Sequence, residues 1–199
     1  MIGGMFIKYF KKIVDKNLYL SPINIDDVEQ FTEWVNNIDL TVNLSIAPCI
    51  FTIEQEKQIL ENLCKEGYNF SIIKLKNDEL IGICGLLNVD KINRTAEAGI
   101  FTGNKKYWSK GYGAEAMKLL LDYSFNLLNM NSIFLRVHSF NERAIRCYQK
   151  CGFKEIGIRR EAYILGGETY NQVYMDILAK EFKGNIPKII NRNIQYKNK

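Results

Sequence analysis

The chain has 199 residues, 47% of them apolar and 25% charged, a balance that excludes disorder and suits one domain with its own core. Its net charge of +5 is local: five basic residues and no acidic one occur from Lys183 onward, leaving positions 1–182 at 22 basic and 22 acidic. A neutral body with a short basic tail argues against nucleic acid as a partner, because most tails of this kind are simply solvated.

Five cysteines without a C-x-x-C pair, and the single histidine His138, supply too few ligands for zinc, so no metal is expected. Reduced thiols and the absence of a compartment signal make the cytoplasm the default location. Residues 1–17 read as an N-terminal extension. Its apolar residues are interrupted by Lys8, Lys11 and Lys12, so it is neither a membrane span nor a signal peptide. Residues 5–14 fit a short basic amphipathic helix on a membrane surface, or, more simply, an extension packed on the body.

In chain order, Leu18 to Ile23 is a strand stopped by Pro22, and Asp26 opens a helix to about Asn37 with Val28, Phe31, Trp34 and Val35 on one face. Thr52 and Gln55 form a capping box for a helix to Lys65, with Gly67 as its stop. Strand-like runs at 69–75, 79–89 and 95–102 make an antiparallel meander. Gly111 to Asn129 is the longest helix, 132–137 a strand, and 141–151 a helix ended by Gly152. Two strands at 153–163 and 170–179 close the domain, which spans 18–182; 183–199 is the basic tail. The order gives an α+β fold with a mixed sheet, in which the helix from 111 connects two parallel neighbours.

Lys110-Gly111-Tyr112-Gly113 sits at the start of that long helix, with Ala114 in its first turn. Glycines let a backbone approach a ligand, and the first amides of a helix have no internal partner, so a pyrophosphate suits the place. Lys106 and Lys110 add positive charge. The plain alternative is that the glycines only shape a turn. The same letters also spell G-x-G-x-x-A, near the dinucleotide-binding fingerprint. Asn104 to Lys110 separates them from the strand, however, and His138 and Ser139 stand where an acidic residue belongs.

Asn141 is a good N-cap for the next helix, and Tyr148 lies seven residues on, beside Ala144 and Ile145. The segments AEAGIF, YWSKGYGAEAM, LLLDYSFNLLN, FNERAIRCYQKCGF and ETYNQVYMDIL, in this order from Ala96, resemble the acetyl-CoA-binding half of the GNAT superfamily. The branch is that of RimJ/RimL and spermidine N-acetyltransferases, and LYLSPINIDDVEQFTEWVNN resembles its opening strand and helix. The resemblance implies a mostly antiparallel sheet of about seven strands flanked by helices, with a splayed parallel pair in the middle. It also implies acetyl-CoA as cosubstrate and an amine acceptor, and it is compatible with a homodimer.

By the same resemblance, Trp108-Ser109-Lys110-Gly111-Tyr112-Gly113 would wrap the pyrophosphate, with Trp108 where the pattern has Gln or Arg. Ile100, Phe101 and Thr102 would pair with the pantetheine arm, Asn141 would bond that arm or order its loop, and Tyr148 would sit beside the sulfur. Asn171 stands where an aspartate is frequent. Amine acetylation needs a free amine, a stabilised oxyanion and a proton for the thiolate. A backbone amide at Phe101–Thr102 suits the oxyanion, and Tyr148, a phenol protonated at neutral pH, suits the proton. His138 and Glu97 are the two candidate bases. An acyl-enzyme at Cys147 lacks an evident activating group. A coenzyme A- or nucleotide-binding sensor without turnover is the other functional class. The acceptor, expected to be bound by the helices before residue 66 and the last two strands, stays open between a polyamine, an amino sugar, an aminoglycoside and a protein N-terminus.

Overall fold

The computed structural model describes residues 7–195. Strand β1 (Ile13–Val14) and strand β2 (Leu18–Pro22) form a first hairpin, and a single 3-10 turn capped by Asn24 leads into α1 (Val28–Val35) and the short α2 (Ile38–Thr41). Helix α3 (Ile53–Glu66) starts on the expected capping box and stops at Gly67 in the left-handed conformation. The meander follows as β3 (Asn69–Lys74), β4 (Leu80–Asp90) and β5 (Thr95–Phe101), then α4 (Tyr112–Asn126), β6 (Ser132–His138) and α5 (Glu142–Cys151). A long hairpin, β7 (Lys154–Leu165) with β8 (Glu168–Leu178), precedes α6 (Ile186–Gln195).

The eight strands make one sheet in the order β1-β2-β3-β4-β5-β6-β8-β7, antiparallel throughout except for β5 beside β6. Strand periodicity sends Leu18 and Leu20 to one face, where α4 covers them, and Tyr19 to the other, where α1 and α3 close over Phe31, Trp34 and Leu60. Both faces of the sheet's first half are therefore dry. The eighth strand beyond the expected seven is the two-residue β1.

Of the two readings of the N-terminal extension, residues 7–14 follow the packed one and not the helix: Tyr9 and Ile13 are buried, the Lys12 amide donates to the Leu20 carbonyl at 2.9 Å, and β1 pairs with β2. Tyr9 and Lys8 both bond the buried Asp27, which fastens this segment to the body. Residues 5 and 6 of the expected helix lie outside the described residues. The described part of the basic tail is not simply solvated, since it carries α6. The buried Asp122 of α4 accepts the amides of Asn185 at 2.6 Å and Ile186 at 3.2 Å, and Ile186 is itself buried. Charge alone hid this helix, whose apolar residues Ile186, Ile189, Ile190 and Ile194 recur at helical spacing. Finally, α2 and the loop after it were not anticipated, because four residues are too few to display a period. No helix among the described residues is long and apolar enough to cross a membrane.

Candidate active site

Strands β5 and β6 pair over only three positions, Thr95 to Glu97 against Ser132 to Phe134. Beyond them β5 stays with β4 as far as Phe101, and β6 stays with β8 as far as His138. The two strands thus diverge, and each turns an edge without a strand partner toward the other. Such an edge offers backbone donors and acceptors to an extended ligand. At the apex, Arg136 of β6 donates to both carboxylate oxygens of Glu97 on β5, at 2.7 and 3.1 Å, and Asn88 adds a third bond at 3.2 Å. A cavity of about 680 Å³ opens from this split.

The start of α4 forms one wall. Ser109 and Gly111 both have positive φ, +58° and +88°, and Gly111 caps the helix without any side-chain bond. The first intrahelical bond is from the Glu115 amide to the Gly111 carbonyl, so the amides of Tyr112, Gly113 and Ala114 have no partner within the helix. A Cβ at Gly111 would meet nothing within 4 Å, and one at Gly113 would meet only Cys147 Sγ and Thr102 Oγ1 at ordinary contact distance. The glycines face space and not protein.

Helix α5 packs beside the start of α4 and forms the adjoining wall, with Cys151 Sγ 3.5 Å from the Ala114 carbonyl. Asn141 caps it by accepting the Ala144 amide at 3.2 Å. Tyr148 projects into the cavity with its ring against Phe153, and its hydroxyl bonds no protein group among the described residues. Burial pushes the phenol's pKa well up, so it stays protonated across the neutral range. Trp108 spends its indole N–H on the Thr102 carbonyl at 2.7 Å, and its ring face carries the Arg143 guanidinium at 3.8 Å. The cations lining the cavity are Arg136, Arg143, Arg146 and Lys150; Lys106 and Lys110 do not line it. Sequence reasoning looked for charge beside the glycines and missed the α5 set, although Arg143, Cys147 and Lys150 share a face at spacings of four and three.

Ile100, Phe101, Thr102, Trp108, Ser109, Gly111, Gly113, Ala114 and Asn141 all line the cavity, as do Glu97, His138 and Cys147. The Tyr112 side chain turns away and packs edge-on against Tyr107, with 4.9 Å between ring centres. His138, 4% exposed, stacks on Tyr163 at 4.0 Å, with Nε2 3.4 Å from Ser45 Oγ and Nδ1 buried without a partner among the described residues. Burial lowers its pKa, so the imidazole is neutral at pH 7. The far wall comes from Leu40 of α2, the loop residues Asn43 to Ile46, Leu63 of α3 and Gln172 of β8. Tyr163 fastens that loop by donating to the Leu44 carbonyl. Asn171 serves the hairpin instead, accepting the Glu161 amide at 2.9 Å where the β7–β8 register shifts.

A family model described as the acetyltransferase (GNAT) domain matches residues 17–154, more than half of the chain. The chain belongs to the GNAT acetyltransferase family. The uncharacterized N-acetyltransferase p20 of Bacillus licheniformis is 30% identical over 175 residues, covering 85% of this chain and 97% of the relative. The spermidine N(1)-acetyltransferase of Vibrio cholerae is 31% identical over 111 residues, which is 56% of this chain and 64% of that protein. The crystal structure of the Vibrio cholerae spermidine N-acetyltransferase with CoA and spermine superposes with a TM-score of 0.74 at 24% identity, over 82% of this chain and 96% of that one. That last likeness is one of fold. This GNAT protein, with relatives in the branch its motifs resemble, is an acetyl-CoA-dependent N-acetyltransferase, and the sensor without turnover is set aside.

Proposed function

We propose that the acetyl group passes from acetyl-CoA to a primary amine by direct attack inside the β5–β6 split, with Tyr148 as general acid and His138 as general base. The amine nitrogen forms a bond to the thioester carbonyl carbon, the carbon–sulfur bond breaks, Tyr148 protonates the departing thiolate, and His138 removes the proton released by the amine. One observation carries the reading: a protonated phenol whose hydroxyl has no protein partner among the described residues and a neutral imidazole line the same cavity. His138 is favoured over Glu97 because both Glu97 oxygens are engaged by Arg136, whereas the His138 Nε2 has only the long 3.4 Å approach of Ser45 Oγ.

The residues present suit the cosubstrate. The amides at the start of α4 and the Arg143 guanidinium would hold the pyrophosphate, and the open edge of β5 at Ile100 to Thr102 would pair with the pantetheine arm. A backbone amide on that edge would also stabilise the oxyanion, a contribution typically worth about 3–4 kcal/mol in kcat. Replacing Tyr148→Phe should lower kcat about 10²-fold and leave the Kd for acetyl-CoA unchanged. Unaltered kcat in that variant, under conditions where thiol departure limits turnover, would remove Tyr148 from the chemistry.

A further inference from the structure

The cavity's charges select among acceptors. Among the described residues lining it, Glu97 is the one carboxylate, and Arg136 already neutralises it through two hydrogen bonds. Every other charged lining residue is a cation: Arg143, Arg146 and Lys150, all on α5. Arg146 has an outside partner in Glu142, whereas Arg143 rests only on the Trp108 ring. The acceptor side offers apolar Leu44, Ile46 and Leu63 and the neutral amides of Asn43 and Gln172.

An amine enters the reaction as the free base and needs no counter-anion at the point of attack. Each additional ammonium on the same molecule does need one, since stripping its water without a partner is unfavourable and the acceptor side offers no free carboxylate among the described residues. We propose that the acceptor presents a single amine on an uncharged carrier with an apolar face, and that polycations are poor substrates. The proposal deepens the reading above and rests on acetyl transfer within this cavity. It separates this chain from relatives named for spermidine, whose likeness in sequence spans 56% of it or less.

The test is thiol release from acetyl-CoA by the full chain with four acceptors: 2-phenylethylamine, leucinamide, spermidine and kanamycin. The expected result is a kcat/KM at least tenfold higher for the two monoamines. A preference for spermidine or kanamycin would overturn the acceptor proposal and leave acetyl transfer standing. No release with any of the four, from protein that still binds acetyl-CoA, would count against the transfer reading and take the acceptor proposal with it. A second arm adds the missing anion: Asn43→Asp should raise kcat/KM for spermidine about tenfold or more, equivalent to about 1.4 kcal/mol. No gain in that variant would show that charge is not what excludes the polyamine.

Discussion

In the proposed pyrophosphate site, Arg143 and Trp108 together would take the place of the one long polar side chain of the pattern this chain departs from. The indole N–H is committed to the Thr102 carbonyl, so Trp108 has no donor left for a phosphate, but its ring face carries the Arg143 guanidinium, and both residues line the cavity with Gly111. Arg143→Ala should therefore raise the Kd for acetyl-CoA about tenfold, the loss expected for a charge-assisted bond. Acetyl-pantetheine, which lacks the pyrophosphate, should show no change in KM in the same variant. Equal losses with both thioesters would make Arg143 a packing residue. His138 carries the second prediction at this scale. Because burial lowers its pKa from the ordinary value of about 6.5, kcat/KM expressed on the concentration of free amine should rise with pH and level off at a point below 6.5. His138→Gln should lower the plateau and abolish that acid limb, and a limb that persists in the variant would assign it to another group.

At the scale of elements, the left-handed cap of α4 constrains sequence more tightly than the space around it does. Gly111→Ala places a Cβ in open space yet at φ +88°, so it should cost about 1–2 kcal/mol of stability through backbone strain alone, measured by denaturant unfolding. Capping and turn residues made most elements legible: Thr52 with Gln55, Gly67, Asn141 and Gly152 all end their helices where their chemistry predicts. The split between β5 and β6 was legible only through family resemblance, because where two strands part depends on neighbours 35 to 40 residues away and leaves no local period. The acceptor wall was half legible. The expected sources, the helices before residue 66 and the last strands, do contribute Leu40, Leu63 and Gln172, but the loop carrying Asn43 to Ile46 has no pattern to read. The charge beside the glycines, Lys106 and Lys110, does not line the cavity, whereas the α5 face that follows the Asn141 cap brings Arg143 to it.

Across the described molecule, two apolar clusters lie on opposite faces of the sheet, and the segments at either end, residues 7–14 and the start of α6, are fastened to the body through buried carboxylates, Asp27 and Asp122. Asp122→Ala would leave the amides of Asn185 and Ile186 without their acceptor, so thermal unfolding should shift down by the equivalent of about 1–3 kcal/mol. The same variant should bind acetyl-CoA as before, because α6 lies against α4 away from the cavity lining. His138 also links stability to pH. Its folded pKa lies below its unfolded value, so its contribution is complete above about 6.5 and is lost as pH falls from there toward the folded pKa. His138→Gln should accordingly blunt the loss of Tm on acidification through that window.

The central claim is that the first turn of α4 holds the pyrophosphate of acetyl-CoA, and calorimetric titration of Gly113→Val beside the unaltered chain tests it most directly. A Cβ there meets only Cys147 Sγ and Thr102 Oγ1, at ordinary contact distance, and a thermal melt of the variant run alongside checks that it is folded. The account predicts saturable heat with acetyl-CoA for the unaltered chain and affinity weakened by about 10²-fold in the variant, the scale of a lost charged contact. Equal affinity in the two proteins would contradict it.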